Sequence, residues 1–364
     1  MQKRSAPQSS VAYRFPMLFL GMLSLVVGTA AGLFRLGWAV SLPRADLAAW
    51  HGPLMLCGFF GAVIGLERAV ALARPWAYVA PVCAGLGGLV LLLGQPAMLA
   101  GGLFSAAGSV LLAGSAWIYY RQRELYTLTL ALGAASWLLG NLLWWLGWPM
   151  ASVIGWWMGF LVLTIAGERL ELSRFLPPSP VAARIFGVLV GVLLLSAVMA
   201  TVNPAAGQRA FGTTLVMLAV WLLRQDVARR TVKQHGLTRF IAICLLSGYV
   251  WLAVGGVVMA GLLPATPFAN DAALHAIFIG FVFSMVFGHA PVIFPAVARV
   301  QVPYHPVFYG PLLLLHGSLL ARVLGDLAQW PALRSAGGAL NALALAFFVA
   351  VTISAVVRGK RLQP

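Results

Sequence analysis

The sequence predicts an all-α fold: a polytopic membrane helix bundle of about twelve transmembrane helices, forming a single domain over residues 1–364. Three observations carry this expectation. Of the 364 residues 61% are hydrophobic and 9% charged, a balance foreign to water-soluble enzymes. The apolar stretches run to about 20 residues, the length a helix needs to cross the hydrocarbon core, which favours helices over the shorter strands of a barrel. Finally, the formal charge of +16 gathers in alternate short loops instead of spreading along the chain. Such clustering is the positive-inside pattern, so the excess of Lys and Arg reports topology and not nucleic-acid binding.

Taken in order, the first helix is expected over about 15–36, after the basic, polar MQKRSAPQSS, which has no convincing cleavage site and reads as an uncleaved anchor. The second, about 50–72, opens AAWHGPLMLCGF and ends at Glu67-Arg68. Helices at about 77–94 and 97–120 are divided by Gln95-Pro96, and those at about 125–147 and 150–168 by Trp148-Pro149. The next pair, about 181–200 and 208–224, turns at Asn203-Pro204, and the ninth, about 237–262, leads through Pro264 to Asn270 into the tenth at about 271–291. The last two are expected over about 305–324 and 336–357.

Lys3 and Arg4, Arg68 with Arg74, Arg121 with Arg123, Arg169 to Arg184, Arg224 to Arg239, Arg299, and Arg358, Lys360 and Arg361 all fall on one side, which places both termini in the cytoplasm. Arg35, Arg44, Arg209, Arg322 and Arg334 depart from the bias. Trp144, Trp145, Trp148, Trp156 and Trp157 surround one outer turn and fit an interfacial belt. Cys57, Cys83 and Cys244 are isolated within spans, without the spacing of a disulfide framework or a zinc site, and read as packing residues.

A weak internal repeat divides the chain into three units of four helices, about 15–120, 125–224 and 237–357. The second span carries Gly58-Phe59 and, after seven residues, Glu67-Arg68; the sixth carries Gly159-Phe160 and, after seven, Glu168-Arg169. In the tenth, Gly280-Phe281 is followed at the same interval by His289. The two Glu-Arg pairs sit at cytoplasmic helix ends, where structural ion pairing or a proton path would use them.

Histidines inside a membrane are costly without partners and mark candidate sites. His275 and His289 share one helix and lie within roughly 40° of one face, but about 21 Å apart along its axis, too far to ligate one metal together. Aligning the Gly-Phe pairs instead brings His51 and His275 within about 3 Å of the same depth, near the outer face. Two neutral imidazoles at one depth suit axial ligation of a haem iron, with Gly52, Gly58, Gly61, Ala272, Ala273 and Ala276 as small residues that leave room for a porphyrin. Hydrogen bonding of both rings to carbonyls near the interface is the plainer alternative. Met285 with His289, and His51 with Met55, each combine imidazole and thioether at helical spacing, which suits copper but also ordinary packing. His316 is expected mid-span, either bonded to a backbone carbonyl or acting as a ligand or relay, while His235 and His305 lie in loops. Asp271 and Asp326 are placed to support ligand imidazoles or to cap helices.

WHGPLMLCGF and LHAIFIGFVFSMVFGH resemble the NnrS family, twelve-span bacterial membrane proteins associated with nitric oxide stress and with haem and copper. Trp50, His51 and Met55 correspond to that family's WHAHEM-like run, although its second His and its Glu are Pro53 and Leu54 here. His275-Ala276 and Gly288-His289 match its tenth-span pattern, whereas its following Thr-Gly-Arg is replaced by Ala290, Pro291 and Val292. The span count, units of four and histidines on spans two and ten are also similar, more distantly, to haem-copper oxidase subunit I.

These resemblances imply a bacterial inner-membrane protein with haem, of b type, on His51 and His275, possible copper at His289, and a redox partner protein. They point to electron transfer or nitric oxide response, with denitrification as the setting. The oxidase's second tenth-span His is Ile277, and no histidine lies between His51 and His235 to build its copper site, so oxygen reduction is not expected. The alternative from another class is a metal-free multi-pass transporter or membrane scaffold.

Overall fold

The computed structural model describes residues 11–174 and 179–361, and among them every regular element is helical. Twelve helices are long and apolar enough to cross a membrane: α1 (Ala12–Arg35), α2 (Ala45–Leu72), α3 (Pro75–Leu92), α4 (Ala97–Arg121), α5 (Leu125–Trp145), α6 (Met150–Ser173), α7 (Pro180–Val202), α8 (Pro204–Gln225), α9 (Gly236–Met259), α10 (Ala269–Ala298), α11 (Pro306–Leu327) and α12 (Pro331–Arg361). Each coincides with one expected span. The face where α2 ends and α3 begins, lined by Arg68 and Arg74, is here termed the basic face. Lys3 and Arg4 of the expected basic cluster lie outside the described residues.

Two helices run well beyond their expected lengths, α12 at both ends and α10, which is expected to stop near residue 291 but is continuous to Ala298 through Pro291 and Pro295. A proline inside a helix removes one amide donor and crowds the preceding turn. Here the last carbonyls find an outside donor, because Nη1 of Arg14 in α1 donates to the carbonyls of Ala296 and Val297. These are carbonyls of the last turn, which any helix leaves without an internal donor; the prolines free those of Phe287 and Pro291 instead.

The four-helix periodicity governs burial. Within its most apolar window α6 is 83% buried, with α2 and α10 next at 61% each, so the second helix of every unit forms the interior. Successive units meet along α4 with α5, α8 with α9, and α12 with α1, which closes the ring. The Gly-Phe pair works alike in each unit. A Cβ at Gly58 would meet Ser24 Oγ of α1 at 2.7 Å, and one at Gly159 would meet Ser136 Oγ of α5 at 2.7 Å. In the third unit Gly280 takes Trp251 of α9 in the same manner. Phe59, Phe160 and Phe281, one from each unit, are all buried.

Two of these three central helices share a further irregularity. α2 widens into a π-helical stretch over Leu54–Phe60, and α10 does so over Ala276–Phe283, whereas α6 has regular α-helical geometry throughout. Both also end in a left-handed non-glycine residue, Ala73 at φ 53° and Arg299 at φ 52°. The π stretches contain the Gly-Phe pairs; the second follows directly on His275 and the first begins three residues after His51.

Candidate functional site: a histidine pair between α2 and α10

The site lies toward the face opposite the basic one, at the N-terminal ends of α2 and α10. A π-helical turn accommodates an extra residue relative to α-helical register, re-aims the side chains beside it, and is frequent at functional sites. In this chain it is found in the two central helices that carry a histidine near their start. The imidazoles of His51 and His275 face each other with ring centroids 6.3 Å apart and planes 19° from parallel.

Both rings are held by the same chemistry. Nδ1 of His51 bonds the Gly28 carbonyl of α1 at 2.7 Å, and Nδ1 of His275 bonds the Asp271 carbonyl at 2.8 Å. A carbonyl only accepts, so Nδ1 carries the proton in each ring and Nε2 keeps the lone pair. Among the described residues neither Nε2 has a hydrogen-bond partner. Both rings thus take the carbonyl hydrogen bonds of the plainer alternative, which also leave each Nε2 in the form that can ligate a metal.

The helix α1 is shaped to receive His51. A Cβ at Gly32 would meet the imidazole Cε1 at 2.9 Å, and one at Gly28 would meet Met55 Sδ at 2.8 Å. On the His275 side, the Asp271 carboxylate lies 3.4 Å from Nδ1 and receives Arg322 at 3.1 Å and Arg334 at 3.0 Å. Arg334 also donates to Asp326 at 2.5 Å. Two arginines that depart from the positive-inside bias are thus balanced by aspartates, and Asp271 supports its histidine through both its carbonyl and its carboxylate. Arg322 retains a buried Nε with no partner.

The small residues expected to make room are used unequally. Gly58 and Gly61 press against Ser24 and Trp137, and Ala272, Ala273 and Ala276 pack fully buried with Val258, Leu319 and Val323. Their space is taken by helix packing. At Gly52 a Cβ would meet nothing within 4 Å.

His289 stands apart near the basic face. Its Nδ1 bonds the Met285 carbonyl at 2.8 Å, its Nε2 is buried without a partner, and the Met285 side chain reaches toward Gly248 of α9. His316 is not bonded to a backbone carbonyl: Trp251 Nε1 donates to its Nδ1 at 2.9 Å, and its Nε2 pairs with Ser247 Oγ at 2.9 Å. Both ring nitrogens are satisfied, which fixes the ring between α9 and α11. Among the described residues no three His, Cys, Asp or Glu side chains converge as metal ligands.

The Glu-Arg motifs also resolve into structure. Arg68 of α2 donates to Glu168 of α6, tying the first unit to the second. Arg169 makes a two-pronged pair with Asp226 at 2.8 and 2.9 Å, and Asp226 also accepts from Tyr249 and from the Ala228 amide. No motif marks Asp226 in the sequence; its one signal is that it stands alone among the basic residues between α8 and α9. Nor are the five tryptophans all interfacial: Trp145 and Trp148 are exposed, whereas Trp156 and Trp157 are buried, bonded to Thr201 and Asn141. The cause is the central position of α6, which turns a belt position into a core position.

Comparison with curated proteins finds no match. Residues 14–357 match the family described as Domain of unknown function (DUF8744), and the chain belongs to that family.

Proposed function

We propose that this protein is an integral membrane haem protein that carries electrons, with His51 and His275 as the axial ligands of one haem. The observation that carries the reading is the facing pair itself, two imidazoles on different central helices with both Nε2 lone pairs free and ring centroids 6.3 Å apart. Two metal–nitrogen bonds of about 2 Å each, with roughly 1 Å from each nitrogen to its ring centre, span about 6 Å. Two protein ligands complete an iron only where a macrocycle supplies the remaining four, so this donor set suits haem better than a bare ion.

The residues around the pair fit that group. The Gly28 and Asp271 carbonyls orient the imidazoles, and Gly52, next to His51 in the chain, has no atom within 4 Å of its Cβ position. Arg322, with its unpartnered Nε, offers a charge-assisted donor to a porphyrin carboxylate. Attachment would be non-covalent, as in a b-type haem, since no Cys-x-x-Cys-His run occurs in the chain. Bound there, the haem would supply a one-electron redox couple. Because both rings are pinned through Nδ1, the pair favours a saturated iron, and hence electron transfer to a partner protein, over binding of a diatomic gas.

The basic loops favour an orientation in a bacterial inner membrane with both termini cytoplasmic, which sets the histidine pair toward the outer leaflet. Haem content of the purified protein tests the reading. One haem per chain, extractable into acidified organic solvent, is expected; folded protein that stays haem-free when haem is supplied during expression would overturn it.

A further inference from the structure

On the basic face the ends of α5, α6, α7 and α8 and the α8–α9 connection enclose a cleft of about 740 Å³. That is the size of a site for a small amphiphile. Its wall includes Leu125, Leu170 and Trp221, and Arg224, Arg230 and Lys233 reach its rim. These three cations are exposed and have no acidic partner among the described residues.

The acids at the cleft are already engaged. Asp226 is saturated by Arg169, Tyr249 and the Ala228 amide. The Glu124 side chain accepts from the first turn of α5 and caps that helix. Elsewhere Arg322 and Arg334 share the carboxylate of Asp271. The cleft therefore holds an uncompensated positive field beside an apolar wall, at a face where the ends of several spans meet.

We propose that this cleft is a binding site for an anionic phospholipid, with the phosphate-bearing headgroup between Arg224, Arg230 and Lys233 and the glycerol and upper acyl chains against Leu125, Leu170 and Trp221. Cationic pockets between helix ends on the cytoplasmic side are suited to such headgroups. A phosphate alone would satisfy the charges but leave the apolar wall uncovered; a zwitterionic lipid would cover the wall but bring its own cation to the rim. Only a lipid of net negative charge meets both.

The test is native mass spectrometry of the full-length, delipidated protein titrated with phosphatidylglycerol, phosphatidylcholine or inorganic phosphate. Phosphatidylglycerol is expected to bind at least ~10-fold more tightly than phosphatidylcholine, and to lose at least ~10-fold in Arg224→Gln/Arg230→Gln/Lys233→Gln. An Arg121→Gln/Arg123→Gln variant, altered on the same face at the end of α4, should keep that affinity. Equal binding of the two lipids, or phosphatidylglycerol affinity unchanged in the triple variant, overturns the proposal. Saturable binding of inorganic phosphate that displaces the lipid overturns the lipid as occupant. Should the triple variant fail to fold, the single Arg230→Gln change must still lower the affinity, and its failure to do so counts against the site.

Discussion

Gly32 of α1 and His51 of α2 are in such close register that a single added methyl group would strike the imidazole, with Cε1 at 2.9 Å and Nδ1 at 3.0 Å from the Cβ position. The ring is therefore positioned by the absence of a side chain on its neighbour as much as by its own bond to Gly28. Gly32→Ala is expected to displace His51 and to cost about 1–3 kcal/mol through overpacking. Gly52→Ala, where a Cβ meets nothing within 4 Å, is expected to leave the ring in place. Thermal unfolding and haem retention of the two variants, compared side by side, check the distinction; equal effects would show that the ring is not held in this way.

Much of this architecture is legible in the sequence, for physical reasons that also show where legibility stops. Hydrocarbon demands long apolar helices and the loops carry asymmetric charge, so span count follows from composition and the fold class with it. Depth is also readable: counting back from Gly58 and Gly280 brings His51 and His275 together because helix rise is constant. Ring orientation is not readable in that way. It depends on Gly28 and Gly32 of α1 and on π-helical stretches that no residue type announces. Trp157 and Asp226 were opaque for a related reason. Whether an indole lies in the belt or the core, and which arginine a lone aspartate meets, is decided by neighbouring helices and not by local sequence.

Asp271 joins the His275 ring to Arg322 and Arg334. Asp271→Asn keeps the backbone carbonyl that orients Nδ1 but removes the charge that balances two arginines. Weaker haem retention, by about 10- to 100-fold, is the expected result, as for other partners of ligating histidines. Dilution into apomyoglobin measures the loss. Retention equal to wild type would confine Asp271 to a role in helix packing.

Asp226 is fully buried and receives both nitrogens of the Arg169 fork. Asp226→Asn leaves a buried guanidinium uncompensated, and a loss of about 3–5 kcal/mol is expected. The exposed Arg44–Asp46 pair is the contrast, since Asp46→Asn should leave unfolding unchanged within error. Denaturation in a single detergent, followed by circular dichroism, compares them.

Arg68 and Glu168 lie on the central helices of different units and pair near the basic face. Arg68→Ala and Glu168→Ala are expected to be non-additive, with a coupling of about 0.5–3 kcal/mol in a double-mutant cycle of unfolding. Additive losses would mean that this pair does not tie the first unit to the second.

The central claim is that His51 and His275 act as one axial pair, and the reduced-minus-oxidised optical spectrum of the purified protein tests it most directly. The wild type should show a sharp α band, lost or replaced by a five-coordinate spectrum in both His51→Ala and His275→Ala and kept in His316→Ala. A folded wild type without that band, or a band that survives in either of the first two variants, would contradict the claim.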